Sequence, residues 1–281
     1  MHSLLVDGVK NGLSPHTILD KSVKTWFWAA LVGQWLFASY ILILYVLPTL
    51  MGNSEVTHNL LPGQGVQDKR VFDGIVFFSH VVPAIILAFC GMSQLVPSIR
   101  NKYPRLHRIN GRIFFILGIS GAVTGLYLTW VTGMRFSDIG SMGIPLNGIL
   151  IPIFIYFAWR TACKKQLNLH QRFAVHSFLL VNGVWTFRLY LMGWFVVNQG
   201  PLGNSRNIDG PADIAMSFAC YLLPMLIAEL VFWAKRTHNL SVKWGVVIMT
   251  IFGATITLIG VGAATMMMWL PRIQKVFAVL L

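Results

Sequence analysis

Of the 281 residues, 56% are hydrophobic and only 11% are charged, and the mean hydropathy is +0.66. A soluble domain carries about 25% charged residues, so the composition excludes one and describes a chain solvated mainly by lipid. The formal charge of +13 would suggest a nucleic-acid partner in a soluble protein. Basic residues gathered at a membrane edge give the same total, and no basic patch with stacking aromatics lies elsewhere, so no nucleic acid is expected.

Residues 1–25 are polar and do not read as a cleavable signal. Apolar runs long enough to span, about 20 residues each, follow at 26–48, 74–98, 109–131, 144–162, 172–197, 213–234 and 244–270. They predict an all-α, polytopic membrane helix bundle of seven transmembrane helices in a single domain, 1–281. The first run holds Trp26, Trp28, Trp35, Tyr40 and Tyr45, amphipathic rings suited to a bilayer interface, and ends at Pro48. The fourth is short and interrupted by Pro145 and Pro152. The segments 49–72, 132–143 and 198–212 are rich in Gly, Asn and Pro and read as solvated connectors. Cys90, Cys163 and Cys220 form no CxxC pair and read as small packing residues, not as a disulfide or a thiolate metal site.

Charge gives the expected orientation. The N-terminal segment (Lys10, Lys21, Lys24) and the turns near 99–112, 160–172 and 235–243 carry fifteen Lys and Arg; the opposite side carries six, Lys69, Arg70, Arg135, Arg206, Arg272 and Lys275. That second side also holds Glu55, Asp68, Asp73, Asp138, Asp209 and Asp213. The positive-inside rule then places the N-terminus in the cytoplasm and the C-terminus outside, in a multi-pass protein of a bacterial inner membrane.

Ionisable groups within the hydrocarbon are expensive, so each needs a partner or a purpose. By helical rise, His80 lies about 9 Å and Arg188 roughly 13 Å from the outer face; the two are expected to share an outer cluster with Asp73 or Asp138. On the inner side stand His107 at the surface, Arg112 slightly deeper, His170 at the start of the fifth span, and His176 about 9 Å below it. Glu229 is the only acid well inside an apolar run, and is the expected counter-ion of Arg112 or of a protonated His176. A carboxylate at that depth suits proton transfer as well as structure.

The stretch 79–128 contains His80, then Gly91 and Gln94 near a helix end, then His107, Arg108, Gly111 and Arg112. In 169–191, His170, Arg172 and Phe173 are followed by a run closing on Arg188. Together these segments resemble the DUF2306 family of predicted membrane proteins over about 70–195. At the position six residues after His170, where that family commonly has Arg, this chain has His176. The resemblance implies an architecture and candidate residues, not a reaction. It also implies a recurring basic turn in which Gly111 lets the helix start pack closely against a neighbour.

Three chemistries follow from these residues. His80, His107, His170 and His176 are candidate ligands for haem b, or for a quinone, with arginines meeting propionates. Only His80 lies in the outer half, so an inner pair of His107 and His176 is the remaining axial arrangement. A metal-dependent membrane hydrolase would draw on His107, His170 and His176, although residues six apart sit about 240° round a helix. The third class, transport, lipid binding or assembly without bond chemistry, uses Glu229 and His176 to pass protons. Its basic turns attract acidic membrane lipids at about 1 kcal/mol per residue. This third class is the expected one.

Overall fold

The computed structural model describes residues 14–53 and 71–280; the expectations for Lys10, Glu55, Asp68, Lys69, Arg70 and most of the connector 49–72 fall outside them. The first helix, α1 (Pro15–Ile41), starts eleven residues earlier than the apolar run at 26. Ser14 caps it, its hydroxyl accepting from the Thr17 N–H at 3.2 Å, and Pro15 fills a first-turn position that needs no N–H. The polar extension is helical because it packs: Leu19 is buried with Ala234, Val246 and Val247, and Asp20 meets Lys235 at 2.8 Å.

A π-helical segment, Leu42–Val46, extends α1 and leads to the short helix α2 (Leu47–Leu50). Then come α3 (Val71–Cys90), a 3-10 turn at Gly91–Leu95, α4 (Pro97–Lys102) and α5 (Pro104–Trp130). The fourth expected span is one helix, α6 (Gly143–Cys163). Pro145 falls in its first turn and Pro152 inside it, without breaking it. The fifth expected span, 172–197, is corrected to two helices, α7 (Leu167–Val181) and α8 (Gly183–Val197), bent by 57°. They are followed by α9 (Pro211–Arg236), α10 (Leu240–Ala264), a second π-helical segment at Thr265–Trp269, and α11 (Leu270–Leu280). Every regular element among the described residues is helical.

By length and composition six helical stretches can cross a membrane, and a seventh if the bent pair counts as one crossing. The contacts favour one crossing. Ser22 on α1 meets Thr250 on α10 at 2.7 Å, and further along both helices Trp26 donates to Thr257 at 2.8 Å. Helices α1 and α10 are therefore parallel, which needs an odd number of crossings from first to last. The bend has a local cause: Asn182 and Gly183 interrupt the helix, and a Cβ on Gly183 would come within 2.5 Å of Asn147 Nδ2. Buried side chains satisfy the break. Gln34 donates to Asn182 Oδ1 at 2.6 Å, and Asn147 donates to the Leu180 carbonyl at 3.1 Å. On the outer surface, Ile116 and Val123 of α5 and Ile248 and Phe252 of α10 are exposed, as expected of faces that meet acyl chains.

Candidate functional site

At the basic end, α3 stops where Cys90 passes into the 3-10 turn. Asn110 of α5 completes that turn, donating to the Cys90 carbonyl at 3.1 Å and to Ser93 Oγ at 2.8 Å. One residue on, a Cβ at Gly111 would lie 3.2 Å from Gln94 Oε1. The Gly–x–x–Gln segment and the basic turn are thus two faces of one joint, and Gly111 is the close-approach position expected of it. His107 is half-buried beside this joint, with Nδ1 unpartnered among the described residues; its ionisable neighbours are His170 and Arg100. Arg105, Arg108 and Arg112 are exposed.

A second cluster at the basic end, deeper in the bundle, sits between α7 and α9. Arg172 donates from Nε to Glu229 Oε1 at 2.6 Å and from its second arm to Oε2. His176 Nε2 shares a hydrogen bond with Oε1 of the same carboxylate. Arg172 and His176 are four residues apart, which places both on one helix face. His176 is 4% exposed and packs edge-on against Phe154, with ring centroids 5.4 Å apart; its Nδ1 is unpartnered among the described residues. Glu229 therefore pairs with Arg172 and His176. Of the two counter-ions expected for Glu229, His176 is the one that meets it; Arg112 lies on an exposed face of α5 and makes no ion pair among the described residues. His170 turns to another face of α7, with Nδ1 2.9 Å from the Ala158 carbonyl.

The opposite half holds His80 and Arg188. Thr124 lies 2.7 Å from the Ser120 carbonyl and 2.9 Å from His80 Nδ1. His80 rests against Gly125, where a Cβ would be 3.1 Å from its ring. Arg188 is among its ionisable neighbours. The expected carboxylates do not join them: Asp73 accepts from Tyr127 at 2.9 Å, and Asp138 pairs with Arg135. Arg188 instead donates to the Val184 carbonyl at 3.0 Å and lies over the Phe37 ring, 5.5 Å from its centroid.

The histidines are distributed, not gathered. Among the described residues no three His, Cys, Asp or Glu side chains form a group able to hold a metal ion. Glu229 engages His176 Nε2, so an axial haem pair of His107 and His176 would require that bond to break or His176 to ligate through its unpartnered Nδ1. Sequence reasoning missed Arg172 as the partner of Glu229, although its i,i+4 spacing to His176 marks a shared face. It also missed Arg272 as a neighbour of Arg188, for which nothing in the spacing offers a signal.

These features define a polytopic α-helical membrane protein with ionisable groups inside the bundle near both ends. The chain belongs to the family described as predicted membrane protein (DUF2306), whose model matches residues 77–232, more than half of the 281. The matched stretch includes His80, both arms of the inner cluster, Arg188 and Glu229. No curated protein and no solved structure matches the chain.

Proposed function

We propose that this protein is a transporter that couples solute movement to protons, with the Arg172–Glu229–His176 cluster as its proton site and its basic end in the cytoplasm. The observation that carries the reading is the broken span. His176 and Arg172 sit on its inner half, α7, and Arg188 sits on its outer half, α8, with the break at Asn182 between them. Discontinuous membrane helices that carry charge at depth mark substrate and ion pathways in transporters. In the cluster, Arg172 provides a permanent charge, so a proton on the His176–Glu229 pair changes its net charge by one without leaving an uncompensated carboxylate. The half-exposed Arg172 opens the pair toward the basic end, while His176 points it inward.

The test is proton movement in proteoliposomes with trapped pyranine, given an imposed pH gradient in phosphate, sulfate or gluconate. Wild type collapses the gradient faster than empty vesicles in at least one anion. Glu229→Gln and His176→Asn fall to the empty-vesicle rate at equal protein content. Equal rates for wild type and Glu229→Gln would sink the reading.

A further inference from the structure

The outer half of the bundle contains cations and donors that no acid among the described residues receives. Among the described residues Arg188 and Arg272 each make one hydrogen bond, to the Val184 carbonyl at 3.0 Å and to the Tyr40 hydroxyl at 3.0 Å. No carboxylate reaches either among the described residues. They are close enough to act on each other electrostatically, with Tyr40 and Tyr45 beside them. A guanidinium offers five N–H donors, so most of theirs are unspent. Trp269, 1% exposed, adds an indole N–H that has no acceptor among the described residues.

The walls of this region are aromatic. Phe37 lies under Arg188 and 5.7 Å from Trp269, and Trp269 stacks on Tyr40 at 5.9 Å. Both parallel helices depart from α-geometry here, at Leu42–Val46 and at Thr265–Trp269, and π-helical turns are frequent at functional sites. Arg188 and Arg272 are only half-buried, so a ligand can reach them.

Two half-buried guanidinium groups and a buried indole N–H without acidic partners among the described residues favour an anion that completes their hydrogen bonds. We infer that Arg188 and Arg272 bind a phosphate group, with any apolar body attached to it lying against Phe37, Tyr40 and Trp269. Two guanidinium forks suit phosphate oxygens in paired, charge-assisted hydrogen bonds. The phosphate comes either from an acidic phospholipid headgroup or from a free phosphate. The inference stands apart from the proton reading, because a binding titration needs no flux; a protein that moves no protons would still be tested by it.

The experiment is thermal unfolding of the full chain in dodecyl maltoside, titrated with phosphatidylglycerol, phosphatidylcholine or inorganic phosphate. Phosphatidylglycerol is expected to raise the melting temperature saturably, and phosphatidylcholine far less. Arg272→Gln and Arg188→Lys should each raise the half-saturating concentration roughly tenfold or more, the cost of a lost charge-assisted bond. Tyr40→Phe, which keeps both charges, should raise it less. A response to phosphatidylglycerol alone assigns the lipid source, and an equal response to inorganic phosphate assigns the free anion. No saturable shift with either, or the same shift in wild type and both arginine variants, overturns the site. If Arg188→Lys does not fold, Arg272→Gln decides alone.

Discussion

At the scale of the residue, small differences in contact set large differences in tolerance. Gly260 of α10 lies against the backbone of α8, where a Cβ would come within 2.7 Å of the Leu189 carbonyl oxygen. Backbone cannot rotate away, so Gly260→Ala must push two helices apart; overpacking of this kind costs about 1–3 kcal/mol. Gly121, in mid-helix, has nothing within 4 Å of its would-be Cβ. Gly121→Ala should be neutral or stabilising by up to about 1 kcal/mol. Melting the two variants side by side in detergent checks the contrast, and equal melting temperatures would refute it. Asp213 is a second case. In the sequence it reads as one more acid on the outer side, yet it is 1% exposed and accepts from Asn204 Nδ2 at 2.6 Å, Ser205 N at 2.9 Å and Gly210 N at 3.0 Å. Asp213→Ala strands these donors and should cost roughly 2–4 kcal/mol, read as a lower melting temperature and faster proteolysis in 198–211.

At the scale of the element, the spans were legible and their interruptions were not. Long apolar runs declare themselves because lipid demands them, and Glu229 stood out because an acid in such a run is rare. The break at Asn182–Gly183 left a turn-type dipeptide in the sequence, but the flanking apolar residues made the run look continuous. The start of α1 at Pro15 was invisible to hydropathy, since Leu19 is buried by residues more than 200 positions away. Pairing across helices was equally hidden: Arg112 and Arg172 both lie near the basic end, and only packing decides which meets Glu229. The break itself makes a prediction. Gln34, 2% exposed, depends on Asn182 for its acceptor, so Asn182→Ala should cost about 1–3 kcal/mol. In a double-mutant cycle with Gln34→Ala the coupling should reach at least about 0.5 kcal/mol. Additive losses would show that the bond does not hold the two halves in place.

At the scale of the whole molecule, the charge asymmetry and the helix order can be tested together with one native thiol. Cys163 is exposed at the end of α6, on the basic side. If that side is cytoplasmic, a membrane-impermeant maleimide should leave Cys163 unlabelled in intact cells and label it in inside-out vesicles, with Cys163→Ser as the control. Labelling in intact cells would reverse the orientation. The parallel pairing of α1 with α10 carries a different consequence. Its hydrogen bonds, Ser22 to Thr250 and Trp26 to Thr257, join residues 228 and 231 positions apart. At about 5–20 residues per second, α1 waits roughly ten to fifty seconds in the bilayer before its partner is synthesised. For that interval the Trp26 indole lacks its acceptor and Leu19 its neighbours, which leaves α1 without its packing partner until α10 arrives. The nascent protein therefore depends on speed: slower translation between α1 and α10 should lower the yield of folded protein without changing its stability.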